Sequence, residues 1–553
     1  MNLHRYKTMC LDCKQKKIRT AKAPKCLERK RKGEIEMSFF TELQKNINDI
    51  NNLQRTENGA IGYKSTGKTI LDMNFNVPKY RNATPETIIE KFNQARSENP
   101  ALAILWTFFA RDVRGGLGER RLFRILFREI CNSDTETAKK VIPLVSEYGR
   151  WDDLIYSTIN TPAWEKTIEV VKAQLLEDTE NVKANKPITL LGKWLPSERT
   201  SSVQTRETAR KIAHDIGLPI KDYNRMLVAL RKYSNVVEVK MSAREWGAID
   251  YSAVPSYANL KYNSAFLRND EERRRKYLAA LTKGETKINA STAFPHDIVK
   301  KYKMGWHYAN YADEAIEAMW KALPDMGGLE NTIVVADGSG SMYGGGNPSP
   351  IDVANALAIY CAEHNKGEFY NKYITFSRTP KFVDLSKGKT LLDKLNIASR
   401  HNEVANTNIE AVFDIILDTA IESKAAQEDI PKSILIISDM EFDGCVESNS
   451  SSRRGMTSYY SMRSYSRPDS TLFKQIEKKY AAAGYKIPRV VFWNVASRTS
   501  TIPMIENDLG VTLVSGYSVS IFKMIMDGET DPFQNLVNTL MSERYQPVYK
   551  AIQ

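Results

Sequence analysis

The chain has 553 residues, 42% hydrophobic and 26% charged, with a formal net charge of +13 and six cysteines. That much apolar content can bury a large interior divided over about two to four domains, which excludes a disordered chain, and the cysteines are too sparse for a disulfide framework. No run approaches the roughly 18 uncharged apolar residues of a membrane span, and the first residues lack the apolar core of a secretion signal, so a cytoplasmic setting with reduced thiols is expected.

The first 36 residues are a basic head with twelve Lys or Arg against four Asp or Glu, which accounts for +8 of the total and leaves the remainder only mildly basic. Cys10, Cys13 and Cys26, with His4 nearby, offer four zinc ligands. Their spacing is incomplete as a finger, so a basic tail with incidental thiols is the favoured reading over zinc.

Residues 37–325 read as helix throughout, with apolar residues recurring at three and four in "NPALAILWTFFARDV", "GERRLFRILFREI" and "DEERRRKYLAALTKG". Turn signals such as Gly115-Gly116, Leu195-Pro196 and Val254-Pro255 divide this part into a succession of helices. The architecture expected is a HEAT-like helical repeat, although no clean repeat period is visible.

From residue 326 the grammar changes. Apolar runs "TIVVAD", "YITFS", "SILIISD", "RVVFWNV" and "VTLVSG" alternate with helical patterns at Ile351–Glu363, Ile409–Ile421 and Leu472–Ala483, and a last helix is expected from Val519. Fully apolar strands separated by helices imply a parallel sheet covered on both faces, so residues 326–530 are expected to form a doubly wound α/β domain. Residues 531–553 are a C-terminal segment.

In such a sheet ligands bind at the carboxyl ends of the strands, where "ADGSGSM" falls. Gly338, Gly340 and Gly344 are spaced G-x-G-x-x-x-G and not as a dinucleotide fingerprint, Ser339 stands where an aspartyl phosphotransferase would place a second aspartate, and "DGSGS" is not a hydrolase elbow. A metal fits better: alternate side chains Asp337, Ser339 and Ser341 direct one carboxylate and two hydroxyls to one point. Hard oxygen ligands favour magnesium, with manganese or calcium as alternatives, and further oxygens are expected from other strand ends, with Thr407 and Asp439 as candidates.

The set Asp337-x-Ser339-x-Ser341, Thr407 and Asp439 resembles the metal-ion-dependent adhesion site of von Willebrand factor A domains, a doubly wound (Rossmann-like) fold, and the order of strands and helices matches over Thr332–Met526. The resemblance implies direct contact of the metal with Ser339, Ser341 and Thr407, with Asp337 and Asp439 acting through water and one position open for an acidic oxygen of a protein partner. In the helical part, "VEVKMSAREWGAIDYSAVPSYANLKY", "GYKSTGKTILDMNF", "FARDVRGGLGERRLFR" and "YGRWDDL" resemble an uncharacterised family that pairs a helical domain with an A domain. That family is similar to the Ro autoantigen (TROVE) proteins, which implies a ring of helical repeats and the binding of small noncoding or misfolded RNA, over roughly Thr56 to Gly528.

"GYKSTGKT", Gly62 to Thr69, satisfies the P-loop pattern literally and would put Lys68 on a phosphate, but the residues before it are polar and turn-like. A connecting segment with Leu71 and Phe75 packed in the core is expected instead. Two basic groups are candidates for RNA phosphates: Arg111, Arg114, Arg120 and Arg121 around a Gly-rich turn, and Lys193, Arg199, Arg206 and Arg210 after a proline-marked one. Trp106, Trp151, Trp194 and Trp246 are either base-stacking platforms or core. The polar insertion Glu447–Ser470 carries Arg453 and Arg454 beside the expected metal site. The expected function is a non-catalytic RNA-binding scaffold or RNA quality-control protein with a metal-dependent partner site; the alternative is a protein-interaction module without an RNA role.

Overall fold

The computed structural model describes residues 39–553 except 235, 306, 326, 328, 345–346, 445–470 and 527. Cys10, Cys13, Cys26, Arg453 and Arg454 therefore lie outside the described residues. The chain divides into two compact units, residues 1–51 and 52–553. In the first, helix α1 (Phe39–Asn51) is amphipathic, with Leu43, Ile47 and Ile50 exposed at a spacing of four and three.

The second unit opens with a hairpin, β1 (Leu53–Arg55) paired antiparallel with β2 (Ile61–Tyr63), and then turns helical through α2 (Thr69–Phe75), α3 (Pro85–Glu98), α4 (Pro100–Arg111), α5 (Arg120–Ser133) and α6 (Trp151–Thr158). Local chemistry sets the starts. Thr84 and Asn99 each accept a backbone N–H with their side chains, and a proline follows each at the first helical position. Leu122, Phe123, Leu126, Phe127 and Ile130 bury one face of α5, as the helical spacing requires. Longer helices continue at Trp164–Lys183, Val203–Asp215, Ile220–Tyr233, Ser256–Asn269 and Glu271–Thr282. A satellite core of Val237, Ile249, Tyr251, Val254, Ala258 and Phe266 gathers around Arg274. The Arg274 guanidinium is fully buried, lies 5.0 Å from the Tyr251 ring and donates to Asn259 and Asn263.

The expectation of helix alone in this part is corrected by the β1–β2 hairpin and by a second small pairing, Lys303–Met304 with His307–Tyr308. Both are too short for a period of two to register in sequence. The literal P-loop begins inside β2, an edge hairpin and not a central strand, and Ser65 and Thr66 turn their hydroxyls onto Asp72. Leu71 and Phe75 are buried.

The sheet consists of β3 (Thr332–Asp337), β4 (Lys372–Phe376), β5 (Lys381–Asp384), β6 (Ser433–Ser438), β7 (Arg489–Asn494) and β8 (Val511–Ser515), in the order β8-β7-β6-β3-β4-β5. Every neighbouring pair is parallel except β4 with β5. The antiparallel edge strand and the following helix α8 (Leu391–His401) were not among the sequence expectations; β5 is mostly exposed and polar, so it lacks the apolar signature of its neighbours. Helices α7 (Pro350–Glu363), α9 (Glu410–Ser423) and α10 (Leu472–Ala482) supply the crossovers.

Helical part, sheet and C-terminal segment share one core. Helix α2 caps the carboxyl ends of β7 and β8: Asn494 donates to Phe75 O at 2.8 Å, Ser515 donates to Asn74 O, and Trp106 Nε1 donates to Asn74 Oδ1 at 3.0 Å. The last helices, α11 (Pro532–Leu540) and α12 (Gln546–Ile552), pack back on α4. Between them Arg544 and Tyr545 hold the buried Asp112 carboxylate, at 2.8 and 3.2 Å. Among the described residues no helix is long and apolar enough to cross a membrane.

Candidate metal centre

The order of strands reverses between β3 and β6, because the chain runs from β3 outward to β5 and then returns to the other side of β3. A crevice opens at such a switch point. Asp337 ends β3 and Asp439 follows β6, so the topology brings both carboxylates to its rim. Asp337 and Asp439 are buried, as are Ser339 and Thr407.

Asp337 Oδ1 accepts from Ser339 N at 2.9 Å, which folds the loop tightly, and Oδ2 accepts from Ser438 Oγ at 2.6 Å. The Ser339 and Ser341 hydroxyls are 3.0 Å apart. Gly338 is required by close approach: a Cβ there would stand 2.9 Å from Thr375 Oγ1. The loop before α9 joins through Gly340 N donating to Ala405 O at 3.2 Å, and Thr407 N donates to Asp443 Oδ2 at 3.0 Å. Five predicted residues, from the ends of β3 and β6 and the loop before α9, thus share one rim.

Two further elements complete the rim. Asn58, in the tip of the β1–β2 hairpin, donates from Nδ2 to Thr407 Oγ1 at 3.2 Å and to Glu441 O at 2.6 Å. Glu441 is buried and accepts at Oε1 from the backbone of Arg498 and Thr499, at 2.9 and 2.8 Å, and at Oε2 from Glu57 N at 2.9 Å. Arg498 Nη2 is 3.4 Å from Asp439 Oδ2. Asn58, Glu57, Glu441, Ser438 and Arg498 were not foreseen. Nothing in a 440-residue separation along the chain signals that Glu57 and Arg498 meet.

Burial, and then the facing Asp439 carboxylate, push the Asp337 carboxyl well above the usual carboxylate range. Burial raises Asp439 as well, against the Ser341 hydroxyl, which favours its charged form. Asp439 Oδ2 is buried and accepts no hydrogen bond among the described residues. Two desolvated carboxylates facing each other are costly unless a cation neutralises them. Hydroxyls and carboxylates are hard oxygen donors, so the set fits magnesium, manganese or calcium and does not fit a soft metal. No group of three or more His, Cys, Asp or Glu side chains placed to hold a metal occurs among the described residues, and the donors here are instead two carboxylates with three hydroxyls.

The basic candidates fare unequally. Arg111 is buried and donates from Nε to Asp153 Oδ2 at 2.7 Å, which removes it from contact with a polyanion. Arg114 lines a separate hollow with Ser520, Arg544 and Tyr545. Arg120 and Arg121 border a cleft of about 650 Å³ together with Arg124, Arg128 and Tyr156. Arg121 donates to Tyr80 O and Ala83 O, and Arg128 to Tyr156 O and Ile159 O. Arg111, Arg120, Arg124 and Arg150 share only Asp152 and Asp153, and Arg120 has the loosest contact, 3.8 Å from Asp153 Oδ1. Burial and then the like charge of Arg150 disfavour its charged form. The spacing of Arg120, Arg124 and Arg128 by four in "RRLFRILFREI" was the available signal for this row.

In the second group Lys193 pairs with Glu238 at 3.4 Å, Arg206 donates to the carbonyls of Thr200 and Ser201, Arg210 pairs with Glu198 at 2.7 Å, and Arg199 is exposed. Trp106 and Trp151 are buried, and Trp194 lies under the Arg150 guanidinium at 3.8 Å.

Fold and site together define a class: a helical part fused to a mainly parallel α/β sheet with an oxygen-lined acidic site at its switch point. Residues 331–547 match a family described as a domain of unknown function (DUF7788), and residues 200–326 match another, DUF2828. An uncharacterized protein of Acanthamoeba polyphaga mimivirus is 29% identical over 535 residues, covering 90% of this chain and 89% of that protein. Among solved structures, the Deinococcus radiodurans Ro (RSR) protein aligns over 86% of this chain and 99% of its own, at 11% identity and a TM-score of 0.38.

Proposed function

We propose that this chain is a non-catalytic RNA-binding scaffold, of the RNA quality-control kind, whose α/β part captures a protein partner through a divalent cation, magnesium first. The observation that carries the metal half is the buried pair Asp337 and Asp439 at the switch point, with one carboxylate oxygen lacking a hydrogen bond among the described residues, beside three hydroxyl-bearing residues. Ser339, Ser341 and Thr407 would hold the ion, with Asp337 and Asp439 behind them. The cation would supply an electrophilic position for an acidic oxygen of the partner. Asn58 orients Thr407 by donating to its hydroxyl.

The RNA half is supported by the arginine cluster around the start of α5, where Arg111, Arg120, Arg124 and Arg150 share Asp152 and Asp153 and the half-exposed Arg120 is the least satisfied. The motif resemblance to the Ro family makes small noncoding or misfolded RNA the polyanion to test first. The second reading, a protein-interaction module without RNA, is favoured by the commitment of Arg111, Arg121 and Arg128 to local partners.

Two measurements separate these readings. RNA affinity should fall steeply with salt through counterion release, by a log–log slope of about 0.7 per phosphate contacted on a single strand, and Arg120→Ala should reduce that slope by roughly one contact. A flat salt response favours the interaction module. Asp337→Ala or chelation should abolish Mn²⁺ binding and partner capture with RNA affinity preserved; loss of both would mean that Asp337 serves folding.

A further inference from the structure

Arg498 sits between two carboxylates that belong to different parts of the chain. Its Nη2 is 2.8 Å from Glu57 Oε2 and 3.4 Å from Asp439 Oδ2. The contact with Glu57 is a hydrogen-bonded ion pair, with Nε also donating to Oε2 at 2.8 Å. The contact with Asp439 is an ion contact only, since Oδ2 accepts no hydrogen bond among the described residues. Glu57 and Arg498 are half-exposed at the rim, whereas Asp439 is fully buried behind it.

The backbone around this pair is fixed independently of the two side chains. Glu57 N and Arg498 N both donate to the buried Glu441 carboxylate, Ala60 N donates to Phe442 O at 3.2 Å, and Thr56 Oγ1 donates to the same carbonyl at 2.7 Å. Backbone bridges Gly59–Asp443 and Tyr63–Ile502 close the hairpin onto the loops after β6 and β7. The guanidinium therefore has one degree of freedom that matters: how closely it approaches Asp439.

Resting on the metal reading above, we propose that Arg498 is a displaceable internal counter-cation of the metal centre and that Glu57, on the hairpin tip, is its parking place. A divalent ion and a guanidinium compete for the charge of Asp439. With an ion held there, like-charge repulsion would take Arg498 off Asp439 and leave it on Glu57 alone, so that the hairpin tip, already fixed in position, opens less often. Cation affinity then depends on Glu57 chiefly through Arg498, so a segment near the start of the helical part regulates a site at the carboxyl ends of the central strands β3 and β6. Arg498, held outside the ion by Glu57, also stands where an acidic partner group approaching the metal would meet it.

The test is a double-mutant cycle on the full chain, with Mn²⁺ as the probe and the free ion read by electron paramagnetic resonance. Arg498→Gln should raise Mn²⁺ affinity about tenfold by removing the competing charge, and Glu57→Gln should lower it about tenfold by leaving Arg498 on Asp439. In the Arg498→Gln background, Glu57→Gln should change affinity by less than about threefold, the residue of a screened rim charge. Equal Glu57→Gln effects in both backgrounds, or weaker binding by Arg498→Gln, would overturn the proposal while leaving the metal centre standing. No Mn²⁺ binding by the wild type or any variant removes both. A second readout needs no substitution: Mn²⁺ should slow amide hydrogen exchange over residues 56–60, and unchanged exchange at saturating ion would equally overturn the coupling.

Discussion

Single residues at the junction of helices and sheet are held by burial more than by charge. His296 illustrates this: its ring is stacked with Phe294 at 5.6 Å, meets Tyr517 edge-on at 4.8 Å, and has a buried Nδ1 without a hydrogen bond among the described residues. Burial, with Arg81 and Lys300 nearby, depresses its pKa to about 3. The folded state therefore keeps a neutral ring where the unfolded chain protonates near 6.5. The sign follows: its contribution is fully present above pH 6.5 and is lost as pH falls toward about 3, at roughly 1.4 kcal/mol per pH unit inside that window. Denaturant midpoints at pH 7 and pH 5 should differ less for His296→Phe than for the wild type. An unchanged difference would mean that the ring is not the group responsible. At this scale the sequence was informative where chemistry is concentrated, as in "ADGSGSM", and silent where it is dispersed: Glu441 and Asn58 carry no local pattern that sets them apart from surface residues.

Among elements, the β1–β2 hairpin has the largest consequence for its size. Gly62 packs so closely on the loop after β7 that a Cβ would lie 2.5 Å from Thr501 Cγ2 and 2.6 Å from Ile502 O. The second contact is backbone and cannot yield cheaply. Gly62→Ala should destabilise the protein by about 1–3 kcal/mol in chemical denaturation and weaken Mn²⁺ binding at the same time. Weakened stability with unaltered Mn²⁺ binding would uncouple the hairpin from the metal rim. The hairpin was illegible beforehand because three-residue strands give no period, and because its literal P-loop reading drew attention to Lys68, which instead lies 5.1 Å from the Phe533 ring. The five parallel strands of the sheet, by contrast, were located to within a residue or two. Runs such as "TIVVAD" are buried on both faces, so the stretch from Ile333 to Ala336 is apolar without alternation.

For the molecule as a whole, the C-terminal segment ties the helical part to itself and to the sheet. Leu536, Leu540, Tyr545 and Val548 are fully buried, and the Tyr545 ring stacks on Tyr148 at 5.7 Å. Tyr545→Ala should cost about 3–5 kcal/mol, read as a lowered unfolding midpoint, and Tyr545→Phe about 1 kcal/mol through loss of the bond to Asp112. Equal midpoints for wild type and Tyr545→Ala would show that this packing does not hold the unit together. The sequence boundary at residue 530 marked a change of pattern and carried no sign that the last helices return to α4, because their apolar faces specify burial without specifying against what.

What the amino-acid order determined by itself is the type of the longer helices and of the parallel strands and the chemistry of the carboxylates and hydroxyls, since both follow from local periodicity and side-chain identity. Only tertiary structure decided that β3 and β6 are neighbours, that the hairpin closes over the loops between them, and that Arg498 stands within reach of both Glu57 and Asp439. Such contacts arise from strand order and from backbone hydrogen bonds between segments hundreds of residues apart, and no window of sequence contains both partners.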